Sequence, residues 1–210
     1  MNEAAIKSNP VGSDVSFMRA WTWRLLAVVW ILAVTAGFIS LFIWTWSPGK
    51  KGSLARAWPR ETRLVRHDGR PTLLAFLHSK CPCSDATVSE MELLMPRLAP
   101  VLPVRVVLMD QDGESRLLPR LRKIPGVEIR MDPSGREAEL FGALTGGQVF
   151  LYGSSGELLF EGGITPGRGH EGESEGRFRL LAALEMSGAG GRALASAEVY
   201  GCPLRTGGEP

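Results

Sequence analysis

Two thiols stand one residue apart in the run from His78 to Ser84: Cys81 and Cys83 flank Pro82, with Lys80 before them and Ser84 after. A polar turn is an unusual home for thiols that merely fill apolar space. Directly after it, Val88, Met91, Leu94, Met95 and Leu98 recur at helical spacing, so the pair falls at a helix N-terminus. Backbone N–H groups and a partial positive charge stabilise a thiolate there, and the ammonium of Lys80 adds a full charge beside it. Both effects lower a thiol pKa from about 8.5 toward neutrality. The chemistry expected is thiol–disulfide exchange, with Cys81 as nucleophile and Cys83 as resolving thiol. A bridge between Cys81 and Cys83 would close a very small ring around Pro82, strained and easily reduced. The third cysteine, Cys202, can fold back onto either of them, and any single bridge leaves one thiol over.

A second chemistry is open to the same residues. Two close thiols plus a histidine are soft ligands suited to Cu(I) or Zn(II). One histidine, His170, stands in the glycine- and charge-rich stretch 161–177. His78 reads as a structural histidine and His67 as a solvated one. Glu171, Glu173 and Glu175 read as a solvated loop face. A third class is an interaction module without catalysis. Phosphate-cradling loops, G-x-S-x-G and H-E-x-x-H motifs are absent from the sequence.

The elements that must position these residues follow from periodicity. Thr72 to Leu77 is an apolar run of strand length, suited to a buried central strand. The helix after the cysteines is expected to begin with Ser84 and Asp85 and to end around Pro100. Further strands are expected at Val104–Met109 and Val127–Met131, and helices at Glu114–Lys123 and Ser134–Ala143. Gln148–Tyr152 and Glu157–Phe160, joined by Gly153, Ser154, Ser155 and Gly156, predict a hairpin. A last helix carries Phe178, Leu180, Leu181 and Leu184. This alternation indicates an α/β fold with a mixed sheet and flanking helices.

That order, with a cysteine where the first strand meets the first helix, resembles the thioredoxin fold. The stretch Asp132–Gly156, DPSGREAELFGALTGGQVFLYGSSG, looks like the corresponding part of membrane-anchored thiol–disulfide proteins of the TlpA and ResA type. KCPCS, FGALTGGQV and GGITPGRGHEGE are most similar to bacterial RedB-like proteins, a thioredoxin-like group. The resemblance covers about residues 70 to 187. It implies that Cys81 takes the nucleophile position and Ser84 the resolving position of the usual C-x-x-C. Lys80 then replaces the tryptophan usual before the nucleophile, and Gly147 falls where the family carries the cis-proline that shapes its peptide-binding edge. Copper-delivery proteins of the SCO type share such a fold, which is what brings the distant His170 into the alternative ligand set.

The remaining composition describes a second object. The 210 residues hold 24 basic and 22 acidic side chains, a net +2, so no global field gathers nucleic acid. All six tryptophans lie between Trp21 and Trp58. Residues 25–46 carry no charge and would extend about 33 Å as a helix, enough to cross a hydrocarbon core of roughly 30 Å. Trp21 and Trp23 stand at one end and Trp44 and Trp46 at the other, where indoles prefer the membrane interface. The organisation expected is a cytoplasmic tail over 1–24, a single transmembrane anchor in the lipid bilayer over 25–46, and a basic tether over 47–70. A thioredoxin-like domain over 71–187 follows, then a tail over 188–210 carrying Cys202. The domain itself is then expected to hold no tryptophan.

Orientation is pulled two ways. Lys7, Arg19 and Arg24 precede the anchor, whereas Lys50, Lys51, Arg56, Arg60, Arg63 and Arg66 follow it, which favours a cytoplasmic domain. Thiol chemistry favours the oxidising side, and long domains translocate largely regardless of charge. The expectation is a single-pass inner-membrane protein with its domain in the periplasm and a protein thiol or disulfide as partner.

Overall fold

The computed structural model describes residues 12–66, 69–98, 100, 102–110, 113, 115–188 and 194–204. His67, expected to be solvated, lies outside them. The chain divides into two units, Met1–Trp44 and Thr45–Pro210.

A single helix, α1 (Gly12–Trp46), dominates the first unit. Its stretch Trp21–Trp46 is apolar on all sides, with a mean hydropathy of 2.5, and is long and apolar enough to cross a membrane. The helix starts well before the expected Leu25, because the residues ahead of it, Arg19 and Arg24 included, are compatible with helix.

The second unit is built on β1 (Thr72–His78), α2 (Pro82–Leu98), β2 (Val104–Met109), α3 (Leu118–Leu121), β3 (Val127–Met131), α4 (Arg136–Phe141), β4 (Gln148–Tyr152), β5 (Leu158–Gly163), α5 (Glu175–Gly188) and β6 (Ala195–Ser196). The strands form one sheet in the order β3-β2-β1-β4-β5-β6. β1 and β3 flank β2 in parallel, β4 runs antiparallel to both β1 and β5, and β6 lies parallel to β5. The central strand β1 is buried from Thr72 to Leu77, as its unbroken apolar run predicts. Its alternate residues feed two cores. Leu73, Ala75 and Leu77 meet Val88, Met91 and Met95 of α2 and Leu180 of α5. Leu74 and Phe76 pack on the opposite side with Phe141, Phe150 and Tyr152.

Several boundaries differ from expectation, each for a local reason. α2 begins at Pro82, not Ser84: proline suits a first helical position, and the carbonyl of Cys81 accepts from the N–H groups of Ser84 and Asp85 at 3.0 and 3.3 Å. The helix expected over Glu114–Lys123 shrinks to Leu118–Leu121, because Pro119 is tolerated only in a first turn. The one expected over Ser134–Ala143 is bracketed by Gly135 and Gly142, both left-handed at φ 70° and 74°, and so spans Arg136–Phe141. β5 runs on past Phe160 to Gly163, where Gly162 and Gly163 press against residues 197–199.

The segments expected to be a solvated tether and a tail are packed parts of the unit. Trp58 stands edge-on to Phe141 and Tyr152, with ring centroids 5.2 Å from each, so the second unit does contain a tryptophan, half-buried against its core. Leu64 is buried beside them. Trp58 N–H donates to Gly156 O (2.8 Å), Leu158 N–H to Arg56 O (2.9 Å) and Tyr152 Oη to Ala55 O (2.7 Å), which adds this segment to the β4–β5 hairpin. Lys51 pairs with the buried Glu161 at 3.1 Å. At the other end of the unit, β6 pairs with β5, and Val199 and Leu204 are buried.

Candidate functional site

The site forms where β1 ends and α2 begins. Ser79 N–H donates to Met109 O at 3.0 Å and Cys81 N–H to His78 O at 3.2 Å, so the turn is held by backbone from both parallel strands. Ser84 is fully buried, and its Oγ accepts from His78 N–H at 3.0 Å, tying the strand end to the helix. The residue at the resolving position is thus a strut. His78 Nδ1 accepts from Lys80 N–H at 3.2 Å, the structural role expected of it.

Cys81 and Cys83 are 3% and 2% exposed, which departs from an open polar turn. Their cover comes from two segments far away in sequence. The loop before α5 aims Gly169 N–H at Cys83, and the segment after β6 lays Cys202 against the pair. The three sulfurs lie within 4.8 Å of one another, and all three are thiols.

Electrostatics divides the trio unequally. The Cys81 pKa is lowered to about 4, chiefly because Cys83 donates its S–H to the Cys81 sulfur; burial opposes this, while the Cys202 thiol and backbone and Ser84 N–H assist. Cys83 is pushed up, first by being that donor and then by burial and the neighbouring thiolate. Cys202 is also raised, mainly by burial and by donating to Cys81. Lys80, expected to stabilise the thiolate, is exposed, and the largest contributions come from the two thiols instead. Two S–H donors thus favour the thiolate form of Cys81. Its three sulfurs also form a donor set for a soft cation.

His170 is not gathered with the thiols. Its exposed ring stacks on Trp46 with centroids 5.9 Å apart, and Nδ1 sits 2.7 Å from Arg168 O. Among the described residues Cys202 takes the third place that the metal alternative gave to His170. Glu171, Glu173 and Glu175 are exposed, as expected. Gly147 donates its N–H to Phe76 O at 2.8 Å with φ +92°, and a Cβ there would come 2.8 Å from Thr87 Oγ1. The position assigned to a cis-proline by resemblance is therefore a glycine pressed against α2, and no peptide bond among the described residues is cis.

Sequence reasoning passed over Glu90, which is fully buried on α2 and accepts from Gly172 N–H (2.6 Å) and Arg177 Nη1 (3.2 Å). The available signal was an acid falling within the apolar face of that helix. Replacing Glu90 with glutamine is expected to cost about 1–3 kcal/mol, because a half-buried guanidinium loses its counter-charge. Chemical denaturation measures the loss. Faster amide exchange at Gly172 would place it in the loop that covers Cys83.

The mixed sheet with helices packed on it and a cysteine at the β1–α2 junction is the arrangement that the resemblance to the thioredoxin fold leads one to expect. Solved structures share the architecture at low identity. An uncharacterized conserved protein from Geobacillus kaustophilus is 15% identical with a TM-score of 0.57, covering 79% of this chain and 95% of its own. A hypothetical protein from Sinorhizobium meliloti is 19% identical with a TM-score of 0.56, covering 75% and 93%. A protein described as the thiol:disulfide interchange protein DsbE from Chlorobium tepidum reaches 22% identity and a TM-score of 0.42 over 66% and 98%. No protein-family model and no curated protein matches the chain.

Proposed function

We propose that the chain is a membrane-anchored thiol–disulfide exchange protein of the RedB-like kind, held in the bacterial inner membrane by α1 with its thioredoxin-like unit in the periplasm. The observation that carries this reading is the gathering of the Cys81, Cys83 and Cys202 sulfurs within 4.8 Å of one another at the β1–α2 junction. Cys81 Sγ attacks one sulfur of a partner disulfide. That S–S bond breaks, a mixed disulfide forms, and the departing partner thiolate takes a proton. Cys83 then gives up its proton and attacks Cys81 Sγ, releasing the second partner thiol, so two electrons pass to the partner. The same steps run in either direction, the partner's own potential deciding between them, and a stabilised Cys81 thiolate favours the reduced form of this protein. An oxidising compartment suits such a cycle.

The test is exchange with a small aromatic disulfide, followed by mass mapping of alkylated cysteines. Cys81→Ser is expected to slow exchange by about 100-fold or more, since its hydroxyl is a far weaker nucleophile at neutral pH. An unchanged rate would sink the reading. A second reading, a soft-metal carrier, is favoured by the same three sulfurs. Binding of one equivalent of Cu(I) that protects all three cysteines from alkylation, in a protein inert to disulfides, would select it.

A further inference from the structure

The segment after β6 does more than cover the thiols. It runs antiparallel to the chain just before β4: Thr145 and Pro203 form a bridge, Gly146 N–H donates to Cys202 O at 2.8 Å, and Leu204 N–H donates to Leu144 O at 2.9 Å. Arg168 clasps the Gly201 carbonyl. The buried side chains of Val199 and Leu204 anchor the two ends. Between them, Gly201 passes so close to Gly146 that a Cβ on it would lie 1.9 Å from Gly146 O. A short segment carrying a cysteine is thus seated, by main-chain hydrogen bonds, with its sulfur within 4.8 Å of that of Cys81. This is how a sheet edge receives an added strand from another protein.

We propose that Tyr200–Leu204 is a built-in substitute for a partner strand, occupying the edge at Leu144–Gly146 where an extended glycine–cysteine segment of a partner protein docks, and that the oxidised resting state is a Cys81–Cys202 disulfide. This rests on the exchange reading above. In the reduced protein, where no bond holds the strap, partner and strap compete for one place, so the strap leaves when a partner docks. Its departure takes Cys202 away from Cys81 while the mixed disulfide exists. Cys83 resolves that disulfide, leaving the small-ring Cys81–Cys83 bridge, and the partner strand departs reduced. The strap then reseats. Cys202 loses its proton and attacks Cys81 Sγ, the Cys81–Cys83 bond breaks, and Cys83 leaves as a thiolate that takes up the proton. No further oxidant is consumed, because the two electrons have already gone to the partner disulfide. Exchange of a strained ring for a bridge between separate segments drives this last step. The main-chain contacts fix the partner chemistry: its cysteine must follow a glycine, since any side chain in that place meets Gly146 O.

The whole chain, oxidised with a large excess of diamide, quenched in acid, alkylated and mapped by mass spectrometry, is expected to show a Cys81–Cys202 bridge with Cys83 free. A Cys81–Cys83 bridge with Cys202 free overturns the proposal and leaves the exchange reading standing. Absence of any bridge overturns both. A second measurement uses Gly201→Val, which keeps every sulfur but prevents the strap from seating. In the reduced protein its Cys202 is expected to alkylate about tenfold faster than in the parent, as for a segment released from its closed state. A peptide repeating residues 200–204, presented as its glutathione mixed disulfide, is expected to react faster with Cys81 in this variant than the same peptide with valine in place of glycine. Equal rates in both comparisons overturn the strap.

Discussion

Acidifying the reduced protein is expected to leave one thiolate in place through the neutral range and to protonate it only near pH 4, whereas Cys83→Ala moves that midpoint upward by at least about one pH unit. Ultraviolet thiolate absorbance reads the transition directly and does not depend on access to the buried sulfur. The Cys83 S–H is the largest influence holding Cys81 down, and Cys202 follows, so Cys202→Ala gives a smaller upward shift than Cys83→Ala. If the midpoint ignores both substitutions, the thiolate belongs to the helix N-terminus and Lys80, and the trio has no electrostatic meaning. The same depression has a signature in stability. A group held below its unfolded value stabilises the fold fully above that value, here 9.0, and loses the contribution as pH falls toward about 4. Cys83 and Cys202, both raised, act with the opposite sign: their contributions are present at neutral pH and are lost as pH rises above their ordinary range. Between these limits the Cys81 part steepens the pH dependence of unfolding by about 1 kcal/mol per pH unit, and Cys81→Ala flattens it.

Trp58→Ala is expected to destabilise the second unit by about 3 kcal/mol, seen as a lowered midpoint in chemical denaturation followed by circular dichroism. Two edge-to-face contacts, to Phe141 and Tyr152, are lost together with the apolar area they bury. Phe141 also touches Phe76 of the central strand, so the damage reaches the side of the sheet opposite α2. Trp58→Phe should recover more than half of the loss. A change below about 1 kcal/mol for the alanine variant would mean that residues 47–66 are a tether after all.

What the sequence announced and what it hid divide along sequence distance. The run Thr72–Leu77, the apolar face from Val88 to Leu98 and the thiols between them are local patterns, and each appears in place. Leu54, Trp58 and Leu64 lie among arginines and prolines with neither strand nor helix period, so their burial against Phe141 and Tyr152 had no local signature. Gly162 and Gly163 read as the start of a loop, yet they are glycine because residues 197–199 pass over the strand too closely for side chains. The third partner of the thiol pair follows the same rule. Resemblance to copper-delivery proteins pointed to His170, whereas only the odd thiol pointed to Cys202, and the path that delivers Cys202 is set by β6 pairing with β5.

That long path also orders events in time. Cys202 emerges from the ribosome about 120 residues after Cys81, an interval of roughly 10 s during synthesis. Throughout it, a nascent chain displays the neighbouring thiols without their third companion and without the strand that shelters them. The first bridge open to an oxidant is then the small-ring one, and under the strap proposal the Cys81–Cys202 bridge follows by rearrangement. On that proposal, maturation is an isomerisation performed by a segment made well after the thiol pair.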